Sequence, residues 1–373
     1  MIVDFVLGQA SGRGGMESVI TQVVGGLTDL GHRVRVFQAI PPVYAEWAGT
    51  LREIYYYDPV CAGFPTRYPG EIDLIRWSLG YRGALELLGR PDVIVATHTP
   101  LYCLMARLAG SGVADVCPPI LSWLHGPPSS YGGEHLLRYA DAHLAISSGV
   151  AHDIEAIVQP ESAVHTIFNP IDVSSVHRIK RPAGETHFLY VGRLDNTQKR
   201  LDLMFSALAI VRGPWRLDII GDGPDMQNLQ LMGKTMGISE KVHWHGWRDK
   251  PWNSVSSVSC LLLTSQYEGF GLVCVEALAR GIPVVATECV GPAEIVQPGV
   301  NGWLVPVDDT DGLAQILQDI VSGSSELPDA LACEKSVTRF LATEVVRNME
   351  AIFINIGHTK YCGRKTQGEG DQL

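Results

Sequence analysis

The sequence predicts an α/β protein built from two Rossmann-like domains facing across a cleft. Short apolar runs alternate with helical patterns along nearly the whole chain, and each switch is marked by glycine, proline or a polar cluster. That rhythm belongs to a parallel sheet covered by helices on both faces. The length of 373 residues exceeds one ordinary core and fits two domains. A polar segment over 174–187, SSVHRIKRPAGETH, contains Pro182 and Gly184 and divides the series into halves.

In chain order, the first half offers strands at Ile2–Leu7, Arg33–Phe37, Val93–Thr97, Ile120–Leu124, His143–Ile146 and His165–Phe168. The second offers His187–Val191, Arg216–Ile220, Val242–His245, Ser259–Leu263, Pro283–Thr287 and a short Gly302–Val305. The expected domains are 1–178 and 186–355, closing on a helix at about Val337–Ile354. The polar tail 356–373 lacks apolar periodicity and reads as disordered.

The chain carries 29 basic against 40 acidic residues, a net charge of −11. The excess is shared, with 11 basic against 17 acidic residues in 1–178 and 18 against 23 in the remainder. Neither half is a basic module, which argues against nucleic acid as a partner. No apolar run approaches the roughly 18 residues of a membrane span, and the opening MIVDFVLGQ has no basic flank. The expected location is the cytoplasm. Eight cysteines without a Cys-x-x-Cys pair, several in apolar runs, read as buried thiols.

Several signatures fail on inspection. Gly221-Asp-Gly223-Pro-Asp-Met226 lacks the third glycine of a dinucleotide fingerprint. Gly233-Lys234-Thr235 lacks the upstream glycine of a phosphate loop and reads as helix. Asp309-Thr-Asp311 opens an amphipathic helix, where acidic residues cap free N–H groups. Ser148 has no glycine two positions before it, so it sits on no hydrolase elbow.

Three phosphate-compatible turns and a carboxylate pair remain. Ser11-Gly-Arg-Gly14-Gly15-Met-Glu17 follows the opening strand and precedes a helix, where glycine amides can close around an anionic oxygen. Tyr190-Val-Gly192-Arg193 also ends a strand, and Arg193 with Lys199 offers a fixed fork plus a mobile point charge, a combination suited to a diphosphate. In Glu268-Gly-Phe270-Gly271-Leu272-Val273-Cys-Val-Glu276, a helix starting near Leu272 leaves Glu268 in the loop and Glu276 one turn in. Two ionised carboxylates suit the vicinal hydroxyls of a sugar and a ribose. His125 ends an apolar strand and is followed at once by loop residues. It reads equally as a cleft residue or as a core histidine.

These residues resemble the retaining glycosyltransferases of family 4, which have the GT-B fold, over most of residues 1–355. The Glu-x7-Glu element of Glu268 and Glu276 is the most specific sign. The phrases HLAISSGV, YVGRL, IIGDGPD, HGWRDKPW, LLLTSQYEGFG and GPAEIVQPGVNG are similar to those of the bacterial lipopolysaccharide galactosyltransferases within that family.

The resemblance implies a UDP-sugar donor, UDP-galactose first, and a lipopolysaccharide core or related glycolipid as acceptor. The first domain then takes the acceptor side and the second the nucleotide sugar. Arg193 and Lys199 would hold the diphosphate beside Gly192, with the amides of Gly14, Gly15, Leu272 and Val273. Glu276 would take the ribose, and Glu268 with the backbone at Phe270 and Gly271 the donor sugar. Trp247 and its loop would meet the uracil, and His125 the sugar and diphosphate. No cofactor and no metal is implied, because Arg193 and Lys199 stand where a metal-dependent transferase places its cation.

Other readings stay open: a donor such as UDP-N-acetylglucosamine in exopolysaccharide synthesis, a UDP-sugar 2-epimerase, or a non-catalytic sugar-nucleotide-binding subunit. Arg67, Arg76, Arg82 and Arg90, interleaved with Tyr68, Trp77 and Tyr81, suit either a transient contact with the inner membrane surface or an ordinary packed helix.

Overall fold

The computed structural model describes residues 1–58, 73–111, 113 and 117–362, the last five as backbone only. Two compact units emerge: residues 1–170 with the chain from Ala342 onward, and residues 171–341.

The first unit is built on β1 (Ile2–Leu7), β2 (Arg33–Gln38), β3 (Ile54–Tyr56), β4 (Val93–Thr97), β5 (Ile120–Leu124), β6 (Ala142–Ala145) and β7 (Ala163–Thr166). They form one parallel sheet in the order β3-β2-β1-β4-β5-β6-β7, with Val3 opposite both Val34 and Val93. Its helices are α1 (Gly15–Asp29), α2 (Asp73–Leu88), α3 (Leu101–Gly110) and α4 (Ser148–Glu155). β1, β4 and β5 are buried almost throughout, which is why they read as continuous apolar runs rather than alternating ones.

The second unit carries β8 (Thr186–Val191), β9 (Trp215–Ile220), β10 (Val242–Gly246), β11 (Cys260–Leu263), β12 (Val284–Thr287) and β13 (Gly302–Val305). Their order is β10-β9-β8-β11-β12-β13, again parallel. Its helices are α5 (Asn196–Lys199), α6 (Leu201–Ile210), α7 (Met226–Thr235), α8 (Leu272–Leu278), α9 (Val290–Ile295), α10 (Thr310–Ser322) and α11 (Ala330–Ser336). In both sheets the strand order reverses once, between β1 and β4 and between β8 and β11. Open α/β sheets bind ligands at the carboxyl ends of strands where that reversal occurs.

All twelve expected strands are present, and β3 is added to them. The expected linker is not free chain. The Ile179 N–H donates to the Arg280 carbonyl at 3.0 Å, the Val258 N–H donates to the Lys180 carbonyl at 3.0 Å, and Arg178 pairs with Glu334 at 2.6 Å. The division lies at Pro170/Ile171, and the segment after it belongs to the second unit.

The closing helix, α12 (Ala342–Cys362), also differs from expectation. It packs on α1 of the first unit instead of extending the second. Val345, Val346, Met349 and Phe353 supply its buried face, and Gly26 makes the room, since a Cβ there would lie 2.7 Å from a Val346 methyl. A pair of His32 and Glu350 at 2.7 Å flanks the contact. α12 runs through the first residues of the expected tail, and 363–373 lie outside the described residues.

Part of the arginine-punctuated segment faces inward. Arg76 is buried and forks onto Asp58 at 3.1 and 2.8 Å, and the Trp77 indole joins them at 2.9 Å. Tyr81 is fully buried. Arg76 and Tyr81 are therefore interior residues and offer nothing to a membrane surface, while Arg67 and Tyr68 lie outside the described residues. Among the described residues, no helix is long and apolar enough to cross a membrane.

Asp309 caps α10, accepting from the Gly312 N–H at 2.8 Å, and Gly233-Lys234-Thr235 lies in α7. Cys103, Cys260, Cys274, Cys289 and Cys333 are buried free thiols and Cys117 is half-buried, while Cys61 and the Cys362 side chain lie outside the described residues.

Candidate functional site

The second unit's reversal point is framed by two loops that bond to each other. After β8 the chain passes Gly192, Arg193 and Leu194 to Asp195, whose carboxylate caps the single turn α5 by accepting from the Gln198 N–H at 3.3 Å. After β11 the Thr264 hydroxyl donates to the carbonyls of Lys199 and Arg200 at 3.1 and 2.9 Å, and the Gln266 N–H donates to the Gln198 carbonyl at 2.7 Å. Arg200 takes a left-handed backbone, φ 48°, and anchors the turn through Asp202, Gln266 and Asp308. Asp225, after β9, accepts from the Asn196 N–H at 2.7 Å. The failed dinucleotide motif around Gly221 thus serves as a brace for α5.

At the seam between these loops, Lys199 Nζ donates to Glu268 Oε1 at 2.5 Å, with the two side chains only 15% and 11% exposed. The Ser265 hydroxyl donates to the same oxygen at 2.7 Å. Gly271, φ 92°, turns the chain into α8 and so opens the helix at Leu272. Glu276 lies on the second turn and accepts from the Trp252 indole N–H at 2.9 Å, while Arg280 covers the same indole at 4.6 Å. Burial holds the Glu276 carboxyl above its ordinary range, opposed by the Trp252 hydrogen bond and the Arg280 charge. Arg193 is 62% exposed and donates to Gln198 Oε1 at 2.9 Å. Phe270 packs edge-on against Phe340 at 5.3 Å, and Trp247 is largely exposed beyond the left-handed Gly246.

Gly192 is held by a close approach. A Cβ on Gly221, φ 150°, would lie 1.8 Å from the Gly192 carbonyl oxygen. Gly221→Ala must therefore push the β8 loop away. The expected cost is about 1–3 kcal/mol, seen as a lower Tm, with loss of nucleotide binding by calorimetry.

At the first unit's reversal point, the turn Ser11–Glu17 is closed by its own acid. Glu17, 6% exposed, accepts from the Ser11 hydroxyl at 2.8 Å and the Gly12 N–H at 3.1 Å, so the Gly12 amide is engaged within the turn. Gly14 precedes α1 without a side-chain cap, leaving the first amides of the helix, Gly15 included, to the expected role.

His125 stands just past β5, its ring tilted 54° against that of Trp123 with centroids 4.5 Å apart, and its Nε2 lies 3.0 Å from the Thr97 hydroxyl. Its Nδ1 is buried and has no hydrogen-bond partner among the described residues. Burial, helped by the neighbouring His98, pushes its pKa down to about 3. The imidazole is neutral throughout the physiological range. In histidine NMR its C–H resonances are expected not to titrate between pH 5 and 9; a midpoint near 6.5 would contradict this burial.

Trp252, Ser265 and Asp225 escaped the sequence reading. Trp252 is the last residue of the quoted HGWRDKPW, but no role was read for it. Ser265 and Asp225 lie inside the quoted LLLTSQYEGFG and IIGDGPD, but a loop serine and a loop acid carry no local sign of the partners they bond.

Comparison with known proteins decides the family. The model described as Glycosyltransferase Family 4 matches residues 13–175, and that described as Glycosyl transferases group 1 matches 175–335. The lipopolysaccharide 1,6-galactosyltransferase of Escherichia coli is 31% identical over 332 residues, covering 87% of this chain and 90% of that protein. The chain belongs to glycosyltransferase family 4.

The family 4 chain also matches solved GT-B structures. The apo form of the lipopolysaccharide outer core galactosyltransferase WaaB superposes with a TM-score of 0.82 at 28% identity, covering 95% of this chain and all of that one. HepE of Anabaena, solved with UDP, gives 0.80 at 19% identity, covering 95% and 100%, a likeness of fold. Both halves of this transferase are thus the Rossmann-like domains the sequence predicts.

Proposed function

We propose that this glycosyltransferase is a retaining hexosyltransferase, moving galactose or glucose from a UDP-sugar to a hydroxyl of a lipopolysaccharide core or related cell-surface glycolipid in the cytoplasm. The observation that carries this reading is the buried Lys199–Glu268 pair beside Glu276 and Trp252 at the second unit's reversal point, in a family whose matched relative is a lipopolysaccharide galactosyltransferase.

Lys199 carries a charge that its partner Glu268 balances at rest. A diphosphate entering beside it would share that ammonium, freeing a Glu268 oxygen to accept from a sugar hydroxyl. Arg193, whose exposed guanidinium is held by Gln198 and Asp195 among the described residues, can swing onto the same diphosphate. Glu276, fixed by the indole, offers its carboxylate to the ribose. The first amides of α8 and the backbone at Gly192, Phe270 and Gly271 complete the donor contacts, and Trp247 supplies an aromatic face for the base. For the first unit we retain Gly14 and Gly15 toward a phosphate and His125 toward a sugar.

Breaking the anomeric C–O bond leaves negative charge on the diphosphate, and Lys199 with Arg193 stabilises it electrostatically. The acceptor hydroxyl attacks the face the diphosphate leaves, and a phosphate oxygen takes its proton, so no enzyme nucleophile and no metal is required. The test is a panel of UDP-sugars incubated with truncated lipopolysaccharide cores, with product mass and anomeric configuration read by mass spectrometry and NMR. One added hexose with retained configuration is expected. An inverted linkage overturns the mechanism, turnover with GDP-mannose alone overturns the donor, and interconversion of UDP-N-acetylglucosamine without acceptor makes the protein an epimerase.

A further inference from the structure

The first unit's reversal point holds a second histidine. His98 follows β4, directly between the strand ends that carry the Ser11–Glu17 turn and His125. Its backbone is left-handed, φ 85°, a conformation that costs a residue with a Cβ on the order of 1 kcal/mol and persists only where the surroundings impose it. The ring lies nearly parallel to that of Tyr102, with centroids 6.3 Å apart. Its Nδ1 is buried and has no hydrogen-bond partner among the described residues, as is true of His125 Nδ1. Two imidazoles therefore sit together, each with an orphaned nitrogen. A buried polar atom without a partner costs about 1–3 kcal/mol, so two of them at a ligand-binding strand edge mark a place where a ligand supplies the missing bonds.

We propose that His98 binds a hydroxyl of the acceptor sugar, forming with His125 a two-imidazole subsite in the first unit. This rests on the reading above, which assigns the ribose and the cationic diphosphate contacts to the second unit and keeps His125 toward a sugar. The chemistry favours a hydroxyl over a phosphate. Burial lowers the basicity of both rings, and because the Thr97 hydroxyl already donates to the Trp123 carbonyl, His125 Nε2 carries its proton toward Thr97 and leaves Nδ1 as an acceptor, the complement of a sugar hydroxyl. A bare imidazole nitrogen such as His125 Nδ1 repels a phosphate oxygen, and the phosphate role in this unit stays with the Gly14 and Gly15 amides.

The test uses the full chain and His98→Phe, which keeps the aromatic ring over Tyr102 and removes both nitrogens, alongside His98→Asn, which tolerates the left-handed backbone and keeps a polar atom near the Nδ1 position. The acceptor probe is a deacylated, truncated lipopolysaccharide core oligosaccharide, and UDP affinity is measured by calorimetry. The expected result for His98→Phe is a rise of about tenfold or more in KM for the oligosaccharide with UDP affinity unchanged, and partial recovery in His98→Asn. Unchanged acceptor kinetics, or a parallel loss of UDP affinity, overturns the proposal. A wild-type chain that turns over no UDP-sugar overturns the parent reading instead. Saturation-transfer NMR of the same oligosaccharide then decides for His98: weaker binding in His98→Phe supports the subsite, and equal binding overturns it.

Discussion

Lys199→Ala is expected to lower kcat/KM for the sugar donor well over tenfold, with the folded structure retained. The wild-type ammonium makes a charge-assisted bond of 2.5 Å to Glu268 in a nearly buried setting, and a diphosphate placed there would receive the same donor. One such bond is worth about 1.5–3 kcal/mol, and its loss falls on the leaving group, where charge develops. Removing Lys199 also leaves the Glu268 carboxylate with the Ser265 hydroxyl but no counter-charge. Some destabilisation is therefore expected in the single variant, and Lys199→Met combined with Glu268→Gln separates the two effects. The double variant should recover Tm without recovering turnover. Steady-state kinetics and thermal melts check both, and wild-type turnover in Lys199→Ala would reduce the lysine to a structural partner of Glu268.

Arg35→Met should unfold the first unit at moderate temperature, with a cost of about 3–5 kcal/mol. Arg35 and Asp4 are completely buried, bonded through both carboxylate oxygens at 2.6 and 2.8 Å, and the Tyr81 hydroxyl donates to Asp4 at 2.7 Å. The third guanidinium nitrogen donates to the carbonyls of Leu88 and Gly89 at 3.0 Å, tying the end of α2 to the sheet. Burial raises the Asp4 pKa to about 6 even with Arg35 pulling it down. Without the guanidinium the carboxyl titrates higher still. The native variant then holds a proton that the unfolded chain releases above pH 4, so its stability falls as pH rises. Chemical denaturation at pH 5 and pH 8 should show the larger deficit at pH 8. An equal deficit at both would mean that Asp4 ionises freely without its partner.

The sheets were legible because their strands are buried on both faces, and a run such as IVDFVL has no other economical reading. β3 was not, since three residues on a sheet edge carry no pattern that separates them from loop. α12 was legible as a helix but not as a member of the first unit. Its partner is α1, more than 300 residues earlier, and the Gly26 gap that admits Val346 has no local signature. At the site, Glu268 and Glu276 stood out by their Glu-x7-Glu spacing around Gly-Phe-Gly, and Arg193 and Lys199 as cations following the strand-end Gly192. Trp252 and His98 did not, because what distinguishes them is a bond across 24 residues in one case and an orphaned nitrogen on a left-handed backbone in the other. Glu17 was visible, but its return onto Ser11 and Gly12 depends on loop geometry that spacing does not encode.

Amide chemical-shift mapping with UDP on isotope-labelled full-length protein addresses the donor assignment residue by residue. The account predicts saturable shifts concentrated at Gly192, Gly271, Leu272 and Val273 and at the Trp252 indole, all weakened in Glu276→Gln. Shifts that cluster elsewhere, or that survive unchanged in that variant, would contradict it.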